Sequence, residues 1–409
     1  MSRRRSGRAS NREVAGSGPG GLPSAQRRMG QECPSVSSRT ETLLGAYPRD
    51  SRIIEIGPSF NPIAPKADGW NSQTIDHLSR EGLVEKYAGL PGIDPGRIET
   101  VDFVWKGGSL SDAVPEAQHG SFDIFLASHV IEHTPDLVAF LQAAQTLLKP
   151  DGAVVLAVPD KRYCFDYFQP LTTTGQVLEA HAERRTRHTG ERAFDHYAYA
   201  VTDGGVESWG QHPIRGIRLL HSLNKAADHY AFYESSENYH DLHAWHFVPK
   251  SFELLILELS RLGKIDLHVE RSAAPGAHEF FVWLRRGAAQ RTAAMTAEVL
   301  EARRVELLKN ALLEQQSQID WLLAAEPDLT REDGGLSTWA TPVRYERTHA
   351  ALMRSEAERA RSEAEAAGLR DRLEVALQQV AALEGSTSWR VTAPLRSLVQ
   401  RLQQVRVRR

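Results

Sequence analysis

The sequence predicts a doubly wound α/β fold, and three observations carry that prediction. Between residues 41 and 287, apolar strand-like segments alternate with amphipathic helical ones, the order that builds a sheet covered by helices. Phe122 to Ala127 has the continuous apolar character of a strand buried on both faces. Arg52-Ile-Ile-Glu-Ile-Gly57 reads as a buried strand ending in a glycine turn, and Gln73-Thr-Ile-Asp76 as a second strand ending in a carboxylate. In an open parallel sheet the ligand lies outside the carboxyl ends of the strands, so Gly57 and Asp76 share one crevice, and a nucleotide-like cofactor fits there.

The elements follow in order. A first helix is expected near Glu41 to Tyr47, ahead of the strand Arg52 to Ile56. A helix containing Glu81 to Lys86 follows Asp76, and Glu99 to Trp105 is the third strand. Asp136 opens a helix in which Leu137, Phe140, Leu141, Ala144, Leu147 and Leu148 recur at helical spacing. Lys149-Pro-Asp-Gly152 ends it, and Ala153 to Val158 is the fifth strand. Regularity then fails from Asp160 to about Lys250, a stretch dense in aromatics that holds nine of the sixteen histidines. A surface loop is rarely so aromatic, so residues 160–250 read as a lid or substrate wall. Ser251 to Leu262 is an amphipathic helix, Ile265 to Arg271 a strand, Pro275-Gly276 a turn and His278 to Leu284 the final strand.

The flanks differ in composition. Residues 1–40 carry eight arginines among Ser and Gly and cannot bury enough apolar area to fold, so they read as a disordered basic tail. Residues 288–345 are a helix and linker. Residues 346–385 carry a short coiled-coil seam at Ala366, Leu369, Leu373, Ala376, Val380 and Leu383, which points to a weak homo-oligomer. In residues 386–409 apolar and basic residues mix with no acid, which suits either a peripheral anchor at an anionic membrane surface or a helix packed on a partner protein.

Composition bounds the function. With 409 residues, 41% hydrophobic and 25% charged, the chain holds one large α/β domain plus extensions. Cys33 and Cys164 are too few and too distant to suggest a disulfide framework, which favours a reducing, cytoplasmic setting. No run reaches the roughly 20 apolar residues that a membrane span needs, and Arg3-Arg-Arg5 is not followed by the apolar core of a secretory signal. The domain has no basic stripe with aromatic motifs, so nucleic acid is not an expected partner. A nicotinamide dehydrogenase is disfavoured because the Gly-x-Gly-x-x-Gly turn that approaches a pyrophosphate is absent.

Glu55-Ile-Gly57, then Asp76, then Ser121-Phe-Asp123 through Ser128-His129-Val-Ile-Glu132-His133, then Leu148-Lys-Pro-Asp-Gly152 through Pro159 stand in the order seen in class I methyltransferases. The chain resembles that superfamily, of the type 11 kind, over residues 42 to 287. The resemblance implies a Rossmann-like seven-stranded sheet with S-adenosylmethionine across the first strand ends. It implies a cofactor set of Glu55, Gly57, Asp76, Ser109 and Ser128, with Asp76 on the ribose hydroxyls and Ser109 near the adenine. The first turn departs from the family, since Pro58, Ser59, Phe60, Asn61 and Pro62 replace its usual further glycines. Asp76 also admits a plainer reading, as a strand-end cap.

Methyl transfer is an in-line displacement, so the protein must align the acceptor and exclude water. A hydroxyl acceptor also needs a base, and histidine or a carboxylate suits neutral pH. His129 and His133 follow the fourth strand and Asp160 the fifth, which makes these three the catalytic candidates. Glu132-His133 resembles an element that usually lines the cofactor pocket in small-molecule methyltransferases, although a helix-start hydrogen bond would also explain it. Lys161, Arg162 and Tyr163 are candidates to grip a polar acceptor such as a sugar; a salt-bridged loop is the alternative. His243 and His246 are assigned to a lid over the acceptor. No metal is assigned, because His240, His243 and His246, three apart, come without a cysteine or His-Glu-x-x-His pattern.

Residues 386 to 396 resemble a short motif of bacterial surface-polysaccharide assembly proteins. That points to a sugar or glycan acceptor, to glycosyltransferase partners and to the inner face of the membrane. Competing with the enzyme is a non-catalytic scaffold that keeps the cofactor fold and organises glycosyltransferases.

Overall fold

The computed structural model describes residues 36–325 apart from 91, 92, 213, 215, 275 and 276. The basic tail before residue 36, the Pro275-Gly276 turn, the linker, the coiled coil and the C-terminal motif lie outside the described residues.

Five strands arrive in sequence order: β1 (Ile53–Ile56), β2 (Ser72–Asp76), β3 (Phe103–Val104), β4 (Phe122–Ser128) and β5 (Leu148–Pro159). Two more, β8 (Leu267–Ala273) and β9 (Glu279–Arg286), follow the insertion and complete a seven-stranded sheet of order β3-β2-β1-β4-β5-β9-β8. Strand β1 pairs in parallel with β2 and β4, placing Ile53 opposite Ser72 and Ile124. Strand β9 slots between β5 and β8 and is antiparallel to both, so it alone runs against the sheet. The chain reverses direction across β1, with β2 on one side and β4 on the other. That reversal is the topological switch point at which such sheets bind ligands.

Alternation along the strands divides two apolar layers. Ile54 and Ile56 face the side covered by α3 (Leu137–Leu147) and α7 (Pro249–Arg261), where Phe140, Leu141, Phe252 and Leu255 are buried. Ile53, Ile124, Leu126, Val155 and Trp283 face the other side, under Leu43 and Leu44 of α1 (Val36–Leu44). The Asp136 carboxylate caps α3 by accepting the Ala139 N–H at 2.9 Å. Helix α2 (Arg80–Tyr87) follows β2 as expected. The third strand is much shorter than the sequence suggests: only Phe103 and Val104 pair, and Asp102 instead binds Lys66 and the Thr74 N–H.

The insertion is more regular than its sequence suggests. It contains α4 (Thr174–Ala182), α5 (Gly190–Tyr199), a ribbon of β6 (Val201–Asp203) and β7 (Ile217–Leu219), and α6 (Leu223–Ser235). Each helix starts at a hydroxyl cap, at Thr173, Thr189 and Ser222. Thr173 and Gln176 form the reciprocal capping box that marks a helix start. At Gly190 a Cβ would lie 2.7 Å from the Tyr230 carbonyl oxygen, so a side chain there would force α5 off α6. Beyond the sheet, α8 (Ala288–Ala293) leads into the 29-residue α9 (Ala297–Ala325). Among the described residues, no helix is long and apolar enough to cross a membrane.

Candidate active site

The crevice begins at the first turn. Gly57 has φ +61°, and a Cβ there would lie 3.2 Å from Val130 Cγ2, so glycine serves both the left-handed backbone and the close approach of the segment after β4. Its N–H donates to the Ile75 carbonyl at 2.8 Å. Ser59 is also left-handed, at φ +49°, and its N–H donates to Asp76 Oδ2 at 3.0 Å. The other oxygen of Asp76 accepts the His77 N–H at 2.8 Å and lies 2.6 Å from His77 Nδ1. Asp76 is therefore a strand-end acid that holds the turn, and it stands at the same crevice as Gly57.

Glu55 braces the turn from beneath. Its two oxygens accept the Ile63 and Ala64 N–H groups at 2.7 and 3.1 Å, and burial raises its carboxyl to about 7 against the pull of those donors. Ser109 lies beyond the end of β3, with its hydroxyl 2.8 Å from that of Ser111.

At the end of β4, the Ser128 hydroxyl accepts from Arg39 Nη2 at 2.9 Å. Arg39 also grips Glu279 through both oxygens, at 2.7 and 2.6 Å, and His129 Nε2 sits 3.0 Å from Glu279 Oε2. Burial would raise the Glu279 carboxyl, but the His129 and Arg39 contacts outweigh it and hold it down to about 2. His129 is left-handed, at φ +53°. Such strained residues gather at functional sites, and here Ser59 and His129 follow adjacent strand ends. No local signal in the sequence marks Arg39 or Glu279; their pairing joins positions 240 residues apart.

A second group lies deeper, where the turn after β4 meets the lid. The Glu132 carbonyl accepts the Ala244 N–H at 2.8 Å, which ties the two segments together. Its side chain is buried, and neither carboxylate oxygen has a hydrogen-bond partner. Around Oε1 stand His133 Nε2 at 3.6 Å, His129 Nδ1 at 3.7 Å and His243 Nε2 at 3.9 Å. His133 Nδ1 lies 2.8 Å from Asp241, and His243 Nδ1 lies 2.6 Å from Asp166. Burial lowers the His133 imidazole, but Asp241 and then Glu132 carry it up to about 9. Asp166, shared with His246 at 3.5 Å, is held well below the usual carboxylate range: burial opposes this, and the two histidines outweigh it.

His240, His243 and His246 do not share a helical face, because residues 241–246 carry no helix. His243 and His246 instead meet at Asp166, while His240 bonds Ser236 at 2.8 Å.

The structure places the remaining candidates elsewhere. Asp160 is buried with both oxygens engaged by the Arg162 guanidinium, at 2.8 and 2.6 Å, so no oxygen stands ready to act as a base. Lys161, Arg162 and Tyr163 lie beneath α9 rather than in the crevice. Lys161 Nζ bonds the Tyr167 carbonyl and Gln318, Arg162 bonds the Glu314 carbonyl, and Tyr163 packs against Trp321. Nothing short of knowing that α9 folds back would have revealed this from the sequence.

The sheet order, with one reversed strand, and the glycine and acid at the first two strand ends define a class I methyltransferase fold. Residues 35–237, just under half of the chain, match the family described as a methyltransferase domain. That match supports a methyltransferase domain in this stretch, with S-adenosylmethionine as its cofactor. No curated protein matches the chain.

Among solved structures, the chain is similar to a putative zinc-dependent alcohol dehydrogenase from Rhodobacter sphaeroides at 16% identity and TM-score 0.35, over 60% of this chain and 88% of that one. It is similar to an S-adenosylmethionine-dependent methyltransferase from Methanosarcina mazei at 14% identity and TM-score 0.30, over 59% and 95%. It also matches the methyltransferase CalH in complex with SAH at 14% and 0.30, over 61% of this chain and 55% of that one. Scores of this size assign nothing to this chain.

Proposed function

We propose that the chain transfers a methyl group from S-adenosylmethionine to a hydroxyl-rich acceptor, a sugar or glycan intermediate, held between the strand ends and the lid. The observation that carries this reading is the linked pair of turns at the switch point. Gly57, Ser59 and Asp76 form one unit, and Val130 of the next turn packs against it. In this reading Asp76 meets the ribose, Ser109 lies toward the adenine and Ser128 borders the methionine end. His129 and His133 face the acceptor as positioning groups or base, with His243 behind them. An acceptor with several hydroxyls suits a wall of imidazoles and carboxylates better than an apolar molecule does. A role in surface-polysaccharide synthesis, with glycosyltransferase partners and peripheral membrane contact, rests on the resemblance of residues 386 to 396 alone.

Incubating the full chain with labelled methyl donor and a panel of sugar nucleotides and lipid-linked glycans tests the reading. Label in a glycan product supports it. Donor binding with no methylation of any glycan in the panel would favour the scaffold.

A further inference from the structure

We propose that Glu132, His133 and His243 form a binding site for a divalent transition-metal ion of the zinc class, placed between the end of β4 and the lid. Three observations converge on it. The Glu132 carboxylate is buried with no hydrogen-bond partner on either oxygen, a placement that calls for a cation beside it.

The imidazole nitrogens stand 3.6 and 3.9 Å from Glu132 Oε1, too far for hydrogen bonds. Two ligands about 2.1 Å from a tetrahedral ion are about 3.4 Å apart, so these gaps are close to the size an ion would fill. The ligand atoms of the three residues all lie within 4.8 Å of one another.

Each histidine also has a carboxylate beside its opposite nitrogen: His243 Nδ1 hydrogen-bonds Asp166 at 2.6 Å, and His133 Nδ1 stands 2.8 Å from Asp241. The Asp166 contact fixes the His243 ring and its tautomer with Nε2 free, the usual outer shell of a metal-binding histidine.

Two nitrogens and one oxygen suit zinc or a neighbouring first-row ion. Three protein ligands leave a position for an exogenous oxygen, the arrangement of reactive rather than purely structural zinc sites. His129 Nδ1 lies 3.7 Å from the same carboxylate oxygen and borders the group. A second His-Glu group, His129, His278 and Glu279, is a poorer host because Arg39 already takes both oxygens of Glu279. Spacing in the sequence concealed the site, since its members come from two segments about 110 residues apart and the two histidines are not on one helix.

The test is zinc binding to the full chain after chelation and dialysis, with no methyl donor present. One zinc per chain with submicromolar affinity is expected, and cobalt in its place should give the visible absorption of a four- or five-coordinate ion. Glu132→Gln and His133→Ala should each weaken zinc binding at least 10-fold, and Asp166→Asn, which acts through His243, by 10-fold or more. His278→Ala should leave it unchanged. His133 is partly exposed, so its variant guards against the case in which Glu132→Gln does not fold.

Absence of a zinc equivalent, or undiminished binding in a folded Glu132→Gln or His133→Ala chain, would overturn the site. Methyl-donor binding measured separately on the metal-free chain keeps that result distinct from failure of the methyltransferase reading.

Discussion

The Ser59 N–H donates to Asp76 Oδ2 at 3.0 Å, so the turn that follows the first strand is fastened to the acid that ends the second. A substitution at Asp76 therefore acts twice, on the crevice wall and on any ligand that uses the acid. Asp76→Ala should weaken methyl-donor binding by about 1.5 to 3 kcal/mol, the worth of a hydrogen bond to a charged group. That corresponds to roughly 10- to 150-fold in Kd, readable by calorimetry. Unchanged affinity would leave Asp76 a strand cap only.

Gly57 is left-handed and packed against Val130. Gly57→Ala should lower stability by about 1 to 2 kcal/mol, the cost of placing a Cβ in the left-handed region. It should also weaken donor binding, because the turn must shift away from Val130. Urea unfolding and calorimetry on the same variant check the two effects.

Glu55 gives the fold a pH dependence of determinable sign. Its folded-state pKa, about 7, lies above the ordinary 4.5, so the folded chain holds that proton more tightly than the unfolded chain. The contribution is complete below about pH 4.5 and is lost as pH rises through 7. Relative to Glu55→Gln, the wild type should lose on the order of 2 to 3 kcal/mol between pH 4.5 and 8, from about 1.36 kcal/mol per pKa unit. Unfolding midpoints across that range, with a wild-type advantage that grows with pH, would contradict the assignment.

Arg162 and Asp160 form a buried pair under α9. Arg162→Ala leaves the Asp160 carboxylate buried without its partner, which costs about 3 to 5 kcal/mol. The variant should unfold earlier and expose residues 297–325 to protease, with methyl-donor affinity unchanged where the chain is still folded. A large loss of glycan binding with stability intact would return Arg162 to the acceptor site.

The sheet was legible because its signals are local: the apolar run of β4, the Asp136 cap and the glycine turn each lie within a few residues. The lid was not, since its helices are amphipathic in a histidine-rich setting that masks periodicity, although Thr173 and Gln176 announced one of them. The site divides along the same line. Gly57 and Asp76 are strand-end residues that spacing can find. The company kept by Glu132 and Glu279 depends on segments more than 100 residues away, whereas Asp160 pairs with Arg162 two residues on, which in turn bonds the Glu314 carbonyl of α9. The three-residue spacing of His240, His243 and His246 makes no shared helical face, because residues 241–246 carry no helix.

The central claim is that the crevice between Gly57 and Asp76 holds the methyl donor. A crystal of the full chain grown with S-adenosylhomocysteine tests it most directly. The ribose is expected within hydrogen-bond distance of Asp76, with the sulfur directed toward His129 and His133. Saturating ligand with that crevice empty, or with the nucleoside bound elsewhere, would contradict the account.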